Sequence, residues 1–385
     1  MRESFALGHI AGIRIGVNWS VLFIFTVIAL GLAGGRLPAA HPGHPWPLYI
    51  AVGLVTAVVF FGSLLAHELA HAVVARGYGV PVEGIVLWLF GGVARMGQEA
   101  PNPRAELRIA GVGPLVSLAL GVIFAGFAWL LAGLTGVTLA TEAVAWLAGI
   151  NILLALFNSL PAAPLDGGRL LRAFLWWRTG DRLRAVQGAS TAGKVMGWAL
   201  MLLGLYAVLL GAAFSGLWLV LIGGFILAAA TAEASQAQVR DVLSGVPVRD
   251  VMSPDPVVAP PGLRLEDFLR DPPAGYRHQS FPVVDEDTPV GLLTLDRVRE
   301  VVAEGRESAL IGDIMLPLSE TLTAGPADSV ADILPRMEGD TGGRVLVLDD
   351  GGRLVGIVSP SDINRAIAWL MSTLPREGAA RRTPP

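Results

Sequence analysis

The sequence predicts a polytopic α-helical membrane protein of about six transmembrane helices with a membrane-associated β-hairpin, followed by a soluble α/β tandem pair. Three observations carry that expectation. Of 385 residues, 53% are hydrophobic and only 16% charged, against roughly 25% charged in ordinary soluble domains, and the mean hydropathy is +0.59. Charge divides along the chain: residues 1–240 hold 14 Lys and Arg against 9 Asp and Glu, whereas residues 241–385 hold 14 against 23, so the two parts suit different solvents. Finally, a stretch in the acidic part repeats itself at an offset of 63 to 65 residues.

Six apolar segments, near 16–34, 47–76, 107–133, 140–160, 192–211 and 214–234, are each long enough for a hydrocarbon core that takes about 20 helical residues. The first has no A-x-A-like cleavage site and further spans follow it directly, so it is expected to stay in the protein rather than leave as a signal peptide. Basic residues orient the bundle. Arg2, Arg14, Arg76, Arg95, Arg104, Arg108, Arg169, Arg172, Arg178, Arg182, Arg184, Lys194 and Arg240 fall on one side, and Arg36 alone on the other. The positive-inside rule then puts both termini, the loop 161–191 and the acidic part in the cytoplasm of a multi-pass cell-membrane protein. The absence of cysteine excludes disulfide scaffolds, thiolate zinc sites and cysteine nucleophiles, leaving His and carboxylates as ligands for any transition metal. A net charge of −4 with no basic run argues against nucleic acid as a partner.

An ionisable group inside an apolar span costs several kcal/mol unless it faces protein or water, so the few present are informative. The second span contains Ala66-His67-Glu68-Leu69-Ala70-His71, the pattern H-E-x-x-H. On a helix, two histidines four apart leave one face and present two imidazole nitrogens to a single metal ion, while the intervening carboxylate stands beside it as a base. At this histidine content the pentapeptide arises by chance in roughly four chains per thousand. The competing reading is two buried histidines hydrogen-bonded within a helix bundle. A catalytic zinc site needs a third protein ligand and an open fourth position. The fourth span ends in Asn158-Ser159-Leu160-Pro161-Ala162-Ala163-Pro164-Leu165-Asp166-Gly167-Gly168-Arg169, where two prolines break the helix ahead of a lone carboxylate. Read alone, this is also a helix-ending turn, with proline for the stop and Gly167-Gly168 for positive φ. Topology links the two stretches, because the second and fourth spans both run from outside to inside and share the cytoplasmic end. Nine residues back from Arg76, at about 1.5 Å each, place His67 roughly 13 Å below the cytoplasmic boundary.

With these residues the sequence resembles the site-2 protease family of intramembrane zinc metalloproteases. The resemblance rests on the H-E-x-x-H of the second span and on N-x-x-P-x-x-P-x-D-G from Asn158. It takes in Gly91-Gly92 and Gly113-Pro114 and covers about 230 residues. It implies that His67, His71 and Asp166 bind one Zn²⁺ per chain and that Glu68 is the general base. The implied activity is hydrolysis of peptide bonds in or near transmembrane segments of membrane-bound substrates, in regulated intramembrane proteolysis. Anti-sigma factors, pro-forms of sigma factors and remnant signal peptides are the implied substrates. Asn158 holds the substrate or a loop in this reading, and helix capping accounts for it nearly as well. The segment 81–98 reads as two β-capable runs, 85–90 and 93–96, about Gly91 and Gly92. In the family a membrane-associated β-hairpin there offers an edge to an extended substrate. A helical peptide bond is sterically hidden, and an edge strand would hold it open once unwound; an ordinary interfacial hairpin fits the same residues. His41 and His44 lie in an outer loop where a turn or interfacial role is expected, and His9 and His278 have no partner at ligand spacing.

In the acidic part, Val248-Arg249-Asp250-Val251-Met252 recurs as Ile311-Gly312-Asp313-Ile314-Met315, and Pro282-Val283-Val284-Asp285 through Gly291-Leu292-Leu293-Thr294 recurs as Leu346-Val347-Leu348-Asp349 through Gly356-Ile357-Val358-Ser359. The pattern resembles a tandem pair of CBS domains, 247–303 and 310–370, behind a membrane domain of residues 1–240. The resemblance implies an adenine nucleotide in the cleft of the pair, with Ser359 and Asp362 on the ribose, and a homo-oligomer formed through the pair. The first copy departs from that pattern, with Arg297 three residues after Thr294 and Asp296 one place early. Ser359 also fits as the cap of the last helix. Residues 372–385, rich in Pro and Arg, are expected to form a disordered tail.

The rival from another class is a CBS-gated membrane transporter or channel. Transporters spread ionisable residues over several helices, often with repeated spans. Here they gather in one zinc-like constellation and no repeat of spans is visible. An inactive relative serving as a scaffold is disfavoured because Glu68 and each ligand position are intact.

Overall fold

The computed structural model of the chain describes residues 4–88, 91–96, 99–271, 278–338 and 343–373, and divides into two units, Met1–Ser235 and Gln236–Pro385. Of the tail expected at 372–385, Ser372 and Thr373 close the last helix, and the rest lies outside the described residues.

The first unit begins with a hairpin of β1 (Phe5–Ile10) and β2 (Ile13–Val17). Ala11 and Gly12 turn it with φ of 51° and 71°, the two left-handed residues that a tight two-residue hairpin requires. β2 pairs in parallel with β3 (Val82–Trp88), which turns back into β4 (Gly91–Met96). The sheet order is β1-β2-β3-β4, so the expected hairpin is present as half of a larger sheet. Ile13, Ile15, Ile85 and Leu87 alternate inward onto Ala72 and Ala75 of the second span, the period of two that buries one face of a strand.

Between β2 and β3 run α1 (Ser20–Gly31), a π-turn at Leu32–Arg36, α2 (Leu37–Ala40) and α3 (Trp46–Gly77). The first helix starts at Ser20 rather than 16 because residues 13–17 are committed to the sheet. After β4 come α4 (Pro103–Thr135), α5 (Leu139–Asn158), α6 (Asp166–Thr179), α7 (Arg182–Leu209) and α8 (Ala213–Leu243). The starts of α4, α5 and α7 are capped by side chains: Asn102 accepts from the Ala105 N–H, Thr138 from Thr141 and Asp181 from Arg184. Among the described residues, six helical stretches are long and apolar enough to cross a membrane: Ser20–Ala40, Trp46–Gly77, Pro103–Thr135, Leu139–Asn158, Arg182–Leu209 and Ala213–Leu243. The stretch expected as one loop, 161–191, instead contains α6, a short helix with one apolar side.

The second unit holds β5 (Ser253–Pro254), α9 (Leu265–Arg270), β6 (Ser280–Asp285), β7 (Thr288–Thr294), α10 (Leu295–Ala303), α11 (Ile311–Ile314), β8 (Leu316–Pro317), β9 (Thr323–Ala324), α12 (Val330–Ile333), β10 (Val345–Leu348), β11 (Leu354–Val358) and α13 (Pro360–Thr373). The sheets run β6-β7-β8 and β5-β11-β10-β9. Each repeat therefore lends its opening segment to the other. Val248 and Val251 are buried with Val345, Val347, Val358 and Ile363 of the second copy, and Ile311 and Ile314 with Phe268, Phe281, Val283 and Leu293 of the first.

Candidate metal centre

Two distant stretches converge on one point beside α4. His67 and His71, one turn apart on α3, are 2% and 3% exposed, and Asp166 opens α6. Their Nε2 atoms are 3.2 Å apart, with Asp166 Oδ2 3.1 Å from His67 Nε2 and 3.2 Å from His71 Nε2. Among the described residues no other group of three His, Asp or Glu converges closely enough to hold one ion.

Both rings are held from behind. His71 Nδ1 lies 2.5 Å from the Ile109 carbonyl oxygen, which only accepts, so the ring proton belongs on Nδ1 and a neutral ring aims its Nε2 lone pair into the cluster. His67 Nδ1 lies 2.9 Å from Ser117 Oγ, a fully buried hydroxyl. Ring lone pairs and a carboxylate oxygen facing one another in a buried place require a cation or protons between them. Around a tetrahedral zinc with bonds of about 2.05 Å, neighbouring ligand atoms stand about 3.3 Å apart, and the three observed edges match that to about 0.2 Å. The residues therefore fit zinc both in geometry and in donor type.

Glycines make the approach possible. A Cβ on Gly113 would lie 2.2 Å from His71 Nε2 and 2.7 Å from His67 Nε2, so at this point α4 presents only hydrogen to the centre. A Cβ on Gly92 would lie 2.2 Å from Glu68 Cγ and 2.7 Å from its Cδ. Gly91, at φ 138°, opens the strand in a conformation suited to glycine. Gly91 and Gly92 thus place β4 against the carboxylate beside the histidines. Gly167 and Gly168 do not have positive φ. They lie in the first turn of α6, where a Cβ would strike the backbone of residues 159–163 at 2.2 to 2.7 Å; close packing of the proline loop, not turn geometry, is what they permit.

Asn158 is the last residue of α5, and among the described residues its side chain makes no hydrogen bond. Its expected capping role is not observed, and α6 starts after Leu165 instead. Between α2 and α3, Tyr49 donates its hydroxyl to the His41 carbonyl and accepts from the His44 N–H, which holds both histidines in a turn. His9 lies on β1, exposed along its length, and His278 packs its ring on Phe281.

In the second unit, Asp362 is 5% exposed and its carboxylate accepts from the Ser359 N–H (2.9 Å), Ser359 Oγ (2.5 Å), Ser253 Oγ (3.1 Å) and Arg365 (2.8 Å). Ser359 and Asp362 are therefore brought together, and Ser359 Oγ also accepts from the Asp362 N–H at 3.4 Å as a weak helix cap. In the first copy Thr294 caps α10 by accepting from the Arg297 N–H.

Sequence reading missed Ser117, the Ile109 carbonyl and the ion pair between Glu106 and Arg172. A hydroxyl one turn beyond Gly113 on the same helix face was the available signal for Ser117. The carbonyl gives none.

The chain matches the model for peptidase family M50 over residues 55–204 and that for the CBS domain over residues 248–304 and 311–368. It is 44% identical over 368 residues to a Mycobacterium tuberculosis protein named as a candidate zinc metalloprotease, Rip3, covering 95% of this chain and 93% of that one. A zinc metalloprotease from Methanocaldococcus jannaschii is 29% identical over 372 residues, 96% of this chain and 98% of its own. Among solved structures, the site-2 protease from Methanocaldococcus jannaschii aligns with 60% of this chain and 94% of its own at 31% identity and a TM-score of 0.42. The chain therefore belongs to the site-2 protease family of zinc metalloproteases, with a tandem CBS pair following its membrane domain.

Proposed function

We propose that this protein cleaves peptide bonds in or near transmembrane segments of membrane-embedded proteins or peptides, with His67, His71 and Asp166 holding one zinc ion per chain and Glu68 acting as general base. The observation that carries the assignment is the convergence of the two Nε2 atoms and Asp166 Oδ2 to 3.1–3.2 Å. Zinc in that position supplies a Lewis acid that polarises the scissile carbonyl and acidifies the attacking water. Glu68 takes the water's proton on its carboxylate and passes it to the leaving amine, and Gly92, bare of a side chain, leaves room for that carboxylate beside β4. The Ile109 carbonyl fixes the tautomer of His71, and Ser117 holds the tilt of the His67 ring. The outer edge of β4 is unpaired in the sheet order, and Gly91, Gly92 and Asn158 hold the substrate as an extended strand along it, with its carbonyl presented to the centre.

The segments fall into a membrane domain of residues 1–240 and CBS domains at 247–303 and 310–370. Both termini and the CBS pair face the cytoplasm, as the distribution of Arg and Lys supports. The pair binds an adenine nucleotide through Ser359 and Asp362 and joins copies of the chain. A ribose hydroxyl there replaces one of the donors that Asp362 now uses, Ser253 being the most weakly bound at 3.1 Å.

The test is metal content and affinity of the full chain in detergent. One zinc per chain, lost or strongly reduced in His67→Ala and in Asp166→Ala, is expected. Unchanged metal content in both variants would reject the ligand assignment.

A further inference from the structure

A charge cluster with no role in the proton transfers stands beside the centre. Arg172, six residues after Asp166 on α6, donates from Nε (2.7 Å) and from Nη2 to Glu106 Oε1 on α4, and from Nη1 to Glu233 Oε1 on α8 (3.1 Å). Glu106 is fully buried, and the Arg172 side chain is 15% exposed. Such pairs add little net stability, because desolvating both charges offsets their attraction, yet losing one partner is severe. What a planar three-pronged fork provides is direction. The second oxygen of Glu106 has no hydrogen-bond partner among the described residues, so Arg172 alone satisfies this carboxylate.

The placement of the cluster ties it to the centre. Glu106 precedes by one turn of α4 the Ile109 carbonyl that holds His71, so a single turn of that helix both grips α6 and orients a histidine. Asp166 stands at the start of α6, where the preceding residues 159–165 form no helix or strand. From the N-terminal side it is held through that loop, whose backbone packs on Gly167 and Gly168 and whose Ala163 N–H donates to the Ala189 carbonyl of α7. Its position against His67 and His71 follows from how α6 is rotated and advanced along α4, which the Arg172 fork sets from the other side.

We propose that Arg172 is a positioning residue, locking α6 to α4 through Glu106 and to α8 through Glu233 so that Asp166 Oδ2 is held opposite the two histidines. This rests on the reading of Asp166 as a zinc ligand.

The test measures zinc affinity of the full-length protein in detergent by competition with a chromophoric chelator. Arg172→Met is expected to weaken zinc binding about tenfold or more in the parent and not to weaken it further in an Asp166→Ala background, since the effect passes through that carboxylate. Where Arg172→Met does not fold, Arg172→Lys replaces it in both backgrounds, keeping the charge but not the fork, with the same pattern expected. An unchanged affinity in the parent overturns the proposal, as does equal weakening in both backgrounds, which would mark a merely structural role. If Asp166→Ala itself leaves zinc affinity unaltered, the ligand reading fails and the proposal with it. If Asp166→Ala weakens zinc and Arg172→Met does not, only the positioning role fails.

Discussion

Replacing Gly113 by alanine puts one carbon into the space α4 leaves for the metal centre. The new Cβ would lie 2.2 Å from His71 Nε2, 2.6 Å from its Cε1 and 2.7 Å from His67 Nε2. Non-bonded heavy atoms settle at about 3.5 Å or more, so His71 Nε2 must retreat by about 1.3 Å, several times the roughly 0.2 Å that a metal site tolerates. Retreat is blocked, because Nδ1 of the same ring is already 2.5 Å from the Ile109 carbonyl. Gly113→Ala should therefore weaken zinc binding at least about a hundredfold, or about 2.7 kcal/mol. Overpacking should cost the zinc-free fold about 1–3 kcal/mol. Gly111→Ala supplies the control on the same helix. Its Cβ meets only Leu170 Cδ2, at an ordinary 3.7 Å, so zinc affinity should stay at the parent value while helix stability rises by up to about 1 kcal/mol. Chelator competition reads the affinity and thermal unfolding followed by circular dichroism reads the fold. Parental zinc affinity in Gly113→Ala would refute the argument that these two rings meet at this glycine.

Two further substitutions separate other parts of the account. Gly92→Ala drives a carbon to 2.2 Å from Glu68 Cγ and 2.7 Å from its Cδ, so peptide hydrolysis should fall by about a hundredfold or more while zinc content stays at the parental level; loss of zinc instead would place β4 in metal binding rather than in base orientation. Asp362→Ala removes a buried acceptor of four hydrogen bonds and should cost the second unit about 1–3 kcal/mol. Calorimetry should also show adenine-nucleotide affinity reduced, and no nucleotide affinity in the parent protein would leave the CBS pair with a docking or dimerisation role.

What the sequence disclosed and what it hid divide along physical lines. That His67 and His71 leave one face of a helix was legible from their spacing, and their convergence with Asp166 from the topology that brings the ends of two spans together, because ionisable groups inside apolar spans need a reason to be there. The six spans were legible from length and apolarity alone. The hairpin at Phe5–Val17 was not, since its buried Ile13 and Ile15 merge in sequence with the apolar run that follows. Helix α6 was hidden for the opposite reason: Arg169, Arg172 and Arg178 read as a polar loop between spans before they read as a helix. Gly167 and Gly168 were assigned to a turn when their role is contact with a neighbouring backbone, which depends on a loop folding back and has no local signature. The same holds for Ser117 and for the Glu106–Arg172 pair, 66 residues apart in the chain. The exchange of opening segments between the CBS repeats is likewise invisible to repeat detection, because the two copies look alike whichever core they enter.

Glu68→Gln keeps the shape of the side chain and removes the base while leaving His67, His71 and Asp166 untouched, so it divides metal binding from chemistry more directly than any other change. The purified full-length variant, assayed in parallel for zinc content and for cleavage of a membrane-embedded substrate trapped with it, should hold about one zinc per chain and show no hydrolysis. Cleavage persisting at a rate near that of the parent would show that another group takes the proton and would contradict the account.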